Sequence, residues 1–467
     1  MGINSLPAVQ SILEQANLLE RFFYTPLRAN LAYSRMADRY LFPNGIGETI
    51  TKTRPGLFPL SAAITPLTPS NNTNTLDNGL SDTYWKSEQF QLAINEYALT
   101  TSVNIKQDRT LIERTFLQNV VALGENAGRT MDGLCSLNVH KAYDAGNTFA
   151  TAAATGGSYT SVSVDNIYGF DFAFSATNSP GLPSAVSGSN TVTVSVYNGT
   201  SGALKGTMVV TAATAGSNSS TAYVNSIAYG ASGTLTLQSN PGFNIAAGDQ
   251  ILAPDGAFVV RSGGALTRYQ ISSNTSNAMV LEDIANAKAQ LEARNIPKLP
   301  NGMYAAIIDP KLWPSLLNDV AFQRSTMGQM GEAGSYFASG MVNRTLGVEF
   351  VNSQMVPRFN TETAGVYARH CVVAGAGALI KGTFQGHIDG SKEAAARDGA
   401  DIRLMAEDVA MITRDPVDRL QEWLTQTWSW IGGFVVPTDY TSDQTTIPTT
   451  DSARYKRCVV IESAVSS

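Results

Sequence analysis

The chain has 467 residues, of which 43% are hydrophobic and only 15% are charged, and its formal net charge is −6. This length predicts two or three domains, and the acidic balance does not provide the basic footprint that a sequence-reading nucleic-acid-binding protein usually shows, although non-specific proximity to DNA stays open. Three cysteines without a CxxC pair predict free thiols in a reducing cytoplasm rather than a disulfide scaffold. We find no export or lipidation signal, and the longest apolar run, 371–380, is too short to span a bilayer, so we expect a soluble protein.

Two strand-like stretches before residue 105 predict a long β-hairpin arm. GETITKTRPGLFPL and YWKSEQFQLAINEYALTTSVNI flank a segment rich in Pro, Asn and Thr that is typical of an open tip. In the second stretch, Phe90, Leu92 and Ile94 alternate toward one face. Isolated hairpins are marginally stable in water, so we expect the arm to pack on another element or on another subunit.

The strongest helical signal covers 109–144, with Asp108 as the N-cap. Apolar residues recur there at steps of three and four, which is one stripe of a 3.6-residue helix: Ile112, Phe116, Val120, Leu123, Ala127, Met131 and Leu134. Gly124, Gly128 and Gly133 weaken the helix and leave room for a kink. The narrow stripe predicts a helix that lies across another element rather than inside a compact bundle.

The composition changes sharply between about residues 150 and 275, where charges become rare among Ser, Thr, Gly, Ala and Val. TVTVSVY and GTLTLQS alternate apolar and polar residues, and Asn198-Gly199 is the dipeptide favoured in two-residue hairpin turns. These patterns predict an all-β domain inserted between helical segments. A low-complexity linker is the alternative, and the regular alternation argues against it.

Downstream of the insert, helical and strand patterns are mixed. An amphipathic helix is predicted from a cap near Ser276 to a stop before Pro297. GMYAAIIDPKLWPSLLND predicts a strand followed by a helix, with Asp309 as the N-cap and Pro310 at the first helical position. LGVEFVNSQMVPR predicts a further strand, so this part of the chain is α+β.

The C-terminal part alternates in the manner of strands. QEWLTQTWSWIGGFVV places Leu424, Trp428 and Trp430 on one face, and YKRCVVIESA predicts a closing strand. Mixed helices and long β segments fit neither a closed barrel nor a doubly wound sheet, and the chain has no internal repeat.

The glycine-rich stretch VVAGAGALIKGTF is the first candidate for a chemical site. Lys381 precedes Gly382, which is the wrong order for a phosphate-binding loop, and Ile380 stands where a dinucleotide-binding motif needs its third glycine. We therefore interpret the stretch as a structural strand and turn.

Other catalytic and metal-binding patterns are equally weak. The three histidines form no HxxxH or HExxH pair and are interpreted as structural, and the chain has no GxSxG motif. Asp401 and Glu407 could serve as a glycosidase pair, but the interleaved arginines favour ion pairs. The sequence therefore predicts no enzyme, no cofactor and no metal site.

The order of the parts resembles the major capsid proteins of tailed bacteriophages, which have the HK97-type fold. The resemblance rests on the arm, the long helix, the β insertion, and then NGMYAAIIDPKLWPSLLND, LGVEFVNSQMVPR, VVAGAGALIKGTFQGH and EDVAMITRDPVDRLQEWLTQTWSWIGG. The phrases from 302 onward resemble the subgroup related to the N4 phage coat protein.

The resemblance implies an HK97-like α+β fold with seven consecutive parts. They are an N-terminal arm (1–45), an extended hairpin loop (46–104), the spine helix of a peripheral domain (105–150), an inserted β-domain (151–275), the rest of the peripheral domain (276–345), an axial domain (346–440), and a C-terminal strand and tail (441–467).

The resemblance also implies a function: self-assembly into the hexamers and pentamers of an icosahedral head that encloses double-stranded DNA. The protein would be assembled in the bacterial cytoplasm and located in the virion, with scaffolding, portal and decoration proteins as further partners and no membrane. A decoration, tail or other surface-binding structural protein remains the alternative, and a carbohydrate-active enzyme is the third hypothesis. The candidate contact residues between subunits are Arg54, Trp85, Phe90, Lys381, Trp428 and Trp430.

Overall fold

The structure, a computed structural model, describes most of the chain. The described residues are 18–45, 47–55, 87–104, 115–156, 158–174, 183–216, 223–224, 227–228, 232–253, 259–327, 344–359, 366–387, 402–406, 408–414, 419–420, 422–437 and 457–466. The helices among them are α1 (Leu18–Ala29), α2 (Thr115–Tyr143), α3 (Arg268–Ser273), α4 (Leu281–Ala293), α5 (Trp313–Asn318) and α6 (Val320–Met327), with 3₁₀ turns at Tyr33–Met36 and Ser262–Gly264.

The strands follow in chain order. They are β1 (Ala37–Phe42), β2 (Thr49–Pro55), β3 (Ser87–Ala93), β4 (Asn95–Asn104), β5 (Asn147–Phe149), β6 (Ser161–Val164), β7 (Phe172–Phe174), β8 (Pro183–Ala185), β9 (Val192–Tyr197), β10 (Leu204–Ala215), β11 (Tyr223–Val224), β12 (Ile227–Ala228), β13 (Gly233–Leu237), β14 (Gln250–Leu252), β15 (Val259–Arg261), β16 (Tyr304–Ile308), β17 (Arg344–Thr345), β18 (Val348–Asn352), β19 (Arg358–Phe359), β20 (Val366–Ala374), β21 (Leu379–Phe384), β22 (Ile402–Ala406), β23 (Val409–Arg414), β24 (Trp423–Val435) and β25 (Cys458–Ser466).

Three larger sheets organise these strands. The body sheet has seven strands in the order β15-β25-β20-β16-β18-β17, with β19 on β20. The Trp sheet, which carries Trp428 and Trp430, has six strands in the order β1-β21-β24-β23-β22, with β4 on β24. The insert sheet has the order β5-β14-β9-β10-β13-β6. The chain contains helices and mixed sheets, and helices and strands do not alternate regularly along it, which confirms the predicted α+β class.

The body sheet is covered on both faces, which explains its apolar strands. Every residue of β16 and nearly every residue of β20 is buried. Helices α4, α5 and α6 contribute to the core on one face, while the C-terminal part of α2 and the first 3₁₀ turn pack on the other. A strand buried on both faces reads as an unbroken apolar run, as YAAII does here.

Helix α2 lies across two sheets, as its narrow apolar stripe predicted. The buried stripe residues, Phe116, Val120, Leu123, Ala127 and Met131, pack on the Trp sheet. Beyond them Cys135, rather than the half-buried Leu134, continues the stripe toward the body sheet. The predicted beginning of the helix and its cap, residues 108–114, lie outside the described part of the chain.

The glycines of α2 allow a second helix to approach closely. A Cβ atom on Gly124 would lie 2.5 Å from the carbonyl oxygen of Phe23, and one on Gly128 would lie 2.7 Å from that of Leu27. The two contacts follow the same chain direction, so α1 runs parallel to α2. Since α2 is unbroken from Thr115 to Tyr143, these glycines serve packing and not a kink.

A bulky residue at Gly124 should therefore push α1 away. We expect Gly124→Leu to lower the free energy of unfolding by about 1–3 kcal/mol through overpacking, although leucine improves helix propensity over glycine by about 0.8 kcal/mol. Urea unfolding measures the change, and Ala122→Leu, on the exposed side of α2, is the matched control. Equal stability of the two variants would contradict close helix packing at Gly124.

The insert sheet confirms the predicted β strands but moves their limits. The valines of β9 and the leucines of β13 face its core. Along the chain, the first strand of this sheet is β5 and the last is β14. The next strand, β15, pairs with β25 of the body sheet, and α3 packs on β20 and β25. Strand β15, which the sequence assigned to the insert, therefore lies in the body sheet, while α3 contacts the body and also β5 of the insert sheet.

The predicted two-residue turn at Asn198-Gly199 is wrong. Residues 198–203 join β9 to β10, and the Asn198 side chain accepts hydrogen bonds from the backbone N–H groups of Thr200 and Ser201, at 2.8 and 3.0 Å. Asparagine here caps a longer loop through its side chain, which competes with the tight turn that the dipeptide also permits.

Two predicted helix starts are corrected in the body. Helix α4 begins at Leu281, where the Asp283 side chain accepts a hydrogen bond from the Val280 N–H at 3.0 Å, so Ser276 is not its cap. Asp309 accepts a hydrogen bond from Lys311 N–H at 2.7 Å in a turn that precedes α5, which begins only at Trp313. The predicted strands before and after α5 are confirmed as β16 and β18.

No helix among the described residues is long and apolar enough to cross a membrane.

Candidate assembly surfaces and a buried charge cluster

The predicted hairpin arm is present as a ribbon formed by β2 and β3. The strands pair antiparallel from Thr49 opposite Ala93 to Pro55 opposite Ser87. Within the described chain they form a two-stranded sheet, so neither strand has a second neighbour. Each outer edge therefore presents backbone N–H and C=O groups that another strand could pair with. The predicted tip, 56–86, lies outside the described residues.

The base of the ribbon is fixed to the Trp sheet. Leu92 is fully buried, and a Cβ atom on Gly382 of β21 would lie 2.6 Å from its Cδ2. Lys52 places its Nζ 3.4 Å from the ring centre of Tyr40 on β1. Packing at the base compensates for the low stability of a lone ribbon and fixes its direction.

The Trp sheet also presents an exposed apolar surface near its end. Leu420 is 77% exposed, and Trp423, at the start of β24, is 48% exposed. Trp423 lies opposite Asn104, the last residue of β4. The sequence could have revealed Trp423, because side chains alternate along a strand and an odd-numbered residue faces away from Leu424, Trp428 and Trp430.

Trp428 and Trp430 were predicted to contact a neighbouring subunit, but the structure buries both within the chain. They are 2% and 0% exposed and pack in the core that α1 and α2 form on the Trp sheet. Trp428 Nε1 donates a hydrogen bond to Asn126 Oδ1 at 3.1 Å, and Trp430 stacks on Tyr97 with ring centres 5.7 Å apart. Their indole surfaces are used inside the subunit, which leaves none for a neighbour.

Lys381 was predicted to lie at a solvent edge or a subunit contact, but it is also buried within the chain. It is 8% exposed, with Nζ 3.5 Å from Asp408 Oδ2 and 5.8 Å from the ring centre of Trp430. The stretch VVAGAGALIKGTF forms the end of β20, a turn, and β21, which confirms the structural interpretation. Phe90 is likewise 8% exposed, in the ribbon.

The remaining candidates stay predictions. The backbone of Arg54 lies in β2, but its side chain and the whole of Trp85 lie outside what the structure describes. Asp401 and Glu407, the weighed glycosidase pair, fall outside the described residues as well.

A cluster of buried charges joins the insert sheet to the body. Arg268, on α3, places Nη1 3.1 Å from Asp144 Oδ2 and Nε 3.4 Å from Glu462 Oε1. Arg261 contributes a second contact to Glu462, with Nε 3.0 Å from Oε2. These groups come from the end of α2 and from β15, α3 and β25, so one ion-pair network connects four elements.

The insert sheet enters the same network through polar side chains. The Arg268 backbone N–H donates to Gln250 Oε1 of β14 at 2.9 Å, and the Gln250 amide donates to Asn147 of β5. The Arg261 guanidinium approaches Asn147 Oδ1 at 3.5 Å. The two strands through which the chain enters and leaves the insert are therefore attached to the charged cluster.

The pKa values of the two carboxyl groups in the cluster are shifted in opposite directions. Burial by itself would raise the pKa of Glu462, but Arg261 and Arg268 together hold this pKa below its ordinary value. Burial raises the pKa of Asp144, which is close to only one of these arginines. Glu462 is therefore the firmly ionised centre of the cluster.

Three side chains of the cluster could in principle hold a metal ion. Single ligand atoms of Asp144, His370 and Glu462 all lie within 4.8 Å of one another, and all three residues are buried. The Arg268 guanidinium, however, already lies against both carboxylates and supplies the compensating positive charge. The donor set therefore fits an internal ion pair and not a metal centre.

Two histidines lie close together beside this cluster. His140 and His370 are 2% and 0% exposed, with ring centres 5.4 Å apart. The sequence did not reveal Arg261, Arg268 or Glu462, because no local pattern links residues that meet only through folding.

No protein-family model matches the chain, and no curated protein matches it in sequence. Solved structures do match over most of its length. The capsid of cyanophage P-SCSP1u shares 11% identity over 94% of this chain and 89% of that chain, with a TM-score of 0.45. The capsid of Ralstonia phage GP4 shares 10% identity over 92% and 88%, with a TM-score of 0.47, and the cyanophage Pam1 capsid shares 10% over 95% and 93%, with a TM-score of 0.46.

Proposed function

We propose that the chain is the major capsid protein of a tailed bacteriophage, with an HK97-type fold and an inserted β-domain. It would assemble into the hexamers and pentamers of an icosahedral head that encloses double-stranded DNA. The cytoplasm of the host would be the place of assembly and the virion its final location. The proposal assigns no enzymatic activity and no cofactor to the chain.

The β2–β3 ribbon carries the proposal. An isolated two-stranded ribbon is marginally stable, yet this one has packing at its base and no further strand on its outer edges within the described chain. A neighbouring copy is the partner that would complete it. If every copy both extends a ribbon and receives one, the contacts repeat and close into a symmetric assembly.

The low charge of the chain supports the same function. Only 15% of its residues are charged, below the roughly 25% of typical soluble domains. Large interfaces between subunits bury apolar and neutral polar surface at about 25 cal/mol per Å² before entropy costs. Leu420, whose side chain is 77% exposed, would be buried in such an interface.

Electron microscopy of the purified protein, alone and with phage scaffolding or portal proteins, tests the proposal. Hollow shells or ring-shaped capsomers are the expected result. The alternative, a decoration, tail or other surface-binding protein, is favoured by the separate core of the insert sheet. A stable monomer that forms no shell and binds glycans would contradict the capsid function.

Shortening the arm should separate folding from assembly. We expect deletion of 66–80 to preserve the unfolding midpoint of the monomer, because the packed base of the ribbon remains, while it lowers the temperature at which shells dissociate. Light scattering during heating measures dissociation. A deletion of 217–220, between β10 and β11, is the control, and unchanged shell stability in the arm deletion would contradict an inter-subunit arm.

A further inference from the structure

Strand β4 forms one edge of the Trp sheet. It pairs with β24 in one uninterrupted antiparallel register, from Asn95 opposite Gly432 to Asn104 opposite Trp423. Among the described residues, β24 is its one strand neighbour. Every second residue of an edge strand points its backbone N–H and C=O groups away from the sheet, so β4 offers this side of its backbone to a further strand.

The β4 edge lacks the features by which proteins usually block unwanted strand pairing. Such features are lysines, prolines, bulges and very short edge strands. The sequence NEYALTTSVN contains no lysine, arginine or proline, it is ten residues long, and its pairing with β24 shows no register shift. Its only charged residue is Glu96, near one end. An unprotected edge of this length is suited to pairing with a strand of another chain.

An exposed apolar side chain lies at the middle of the same edge. Leu99 is opposite Trp428, so its side chain points to the face of the sheet that α1 and α2 cover. Trp428 is 2% exposed, whereas Leu99 is 44% exposed. The apolar surface of this face therefore extends to the edge strand, and a strand placed beside β4 would cover it.

The charge pattern of β4 favours the β4 of a second copy as that strand. If two copies pair antiparallel with Leu99 opposite Leu99, residues 95–103 of each copy face residues 95–103 of the other. Glu96 then lies opposite Ser102, so the two carboxylates are at opposite ends of the contact and do not repel each other. Directly opposite side chains share a face, so the two leucines meet on the side that the helices cover.

We propose that β4 is a two-fold contact through which two copies of this chain join their Trp sheets, with Leu99 at its centre. Main-chain hydrogen bonds hold the copies together, and the same surface serves on both partners, as a two-fold contact requires. The leucines set the register, because a shift by one residue would place apolar side chains opposite the polar face. The contact is independent of the proposed capsid function, since it can form within a shell or in a free dimer.

Cysteine cross-linking tests the pairing directly. Opposite residues of antiparallel strands place their Cβ atoms about 4.5–5.5 Å apart, which a disulfide can bridge after a small adjustment. We expect Leu99→Cys to form a covalent dimer on mild oxidation, detected by non-reducing gel electrophoresis. Leu204→Cys is the matched control and should form none, because Leu204 is 58% exposed but lies on β10, which has a strand on each side. The three native cysteines are buried.

A charge at the centre of the edge should prevent the contact. Leu99→Lys replaces the apolar pair by two facing ammonium groups, so we expect the dissociation constant for self-association to rise at least about tenfold. Sedimentation velocity measures this constant. Because Leu99 is already partly exposed, the circular dichroism spectrum and the unfolding midpoint of the monomer should stay unchanged. Leu204→Lys is the control and should leave self-association as it is in the unmodified chain.

Amide hydrogen exchange identifies the strand that occupies the edge. The outward N–H groups within 96–102 should exchange more slowly in the associated protein than in the dilute monomer. Protection of these amides without cross-linking of the Leu99→Cys variant would mean that a different strand, such as one from a neighbouring ribbon, occupies the edge, and would overturn the inference. Shells that form normally with Leu99→Lys would overturn it and leave the capsid function intact, whereas a chain that stays monomeric at every concentration would contradict both.

Discussion

Replacing Arg268 with methionine should lower the free energy of unfolding by about 3–5 kcal/mol, the usual cost of removing one partner from a buried ion pair. Arg268 is 2% exposed and is shared between Asp144 and Glu462. Without its guanidinium, two buried carboxylates of like charge remain in the cluster, and Glu462 keeps Arg261 as its close cation among the described residues. Methionine fills much of the volume, so the measured loss reports mainly the uncompensated charge.

Urea unfolding of dissociated subunits measures this loss, with Arg344→Met as the matched control. Arg344 has a 61% exposed side chain and reaches Glu349 at only 3.9 Å, so its removal should change stability by less than about 0.5 kcal/mol. The Arg268 effect should also persist at high salt, because buried pairs are weakly screened. Equal losses in the two variants would mean that the cluster is not a structural junction.

Features with a local period could be predicted from the sequence. The stripe of α2, the alternating β9 and β13, and the closing strand β25 are each written in the spacing of apolar residues within one element. The same alternation identified the buried face of β24. The alternation does not show whether that face packs on the same chain or on another subunit. Trp428 and Trp430 were therefore expected at a subunit contact, whereas the structure packs them beneath α1 and α2.

The charge cluster could not be predicted, for a physical reason. Arg268 and Glu462 are isolated charges in weakly charged segments, and only the pairing of β15 with β25 and the packing of α3 on β25 bring them together. Composition failed at the same place, because β15 and α3 share the neutral, Ser- and Gly-rich character of the insert although they pack on the body.

The pairing of β5 with β14 predicts the effect of deleting the insert. Phe149 pairs with Gln250, and the Ala150 N–H donates to the carbonyl of Asp249 at 2.9 Å, so the chain enters and leaves the insert side by side. Replacing 151–248 by Asn-Gly, the dipeptide preferred in two-residue hairpin loops, should close these strands into a short hairpin. We expect a soluble body that unfolds cooperatively, because the cluster around Arg268 keeps all its charged members.

The longer deletion, 152–272, provides the contrast. It removes β15 and most of α3, so β25 loses a neighbouring strand and a packed helix, and Glu462 loses both of its arginines. The loss of this packing together with buried ion pairs costs several kcal/mol, which is a large share of the roughly 5–15 kcal/mol that stabilises a typical domain. We therefore expect this variant to be insoluble or unfolded by circular dichroism and size-exclusion chromatography. If both deletions gave equally stable bodies, residues 259–272 would belong to the insert after all, and the junction would have to be placed elsewhere.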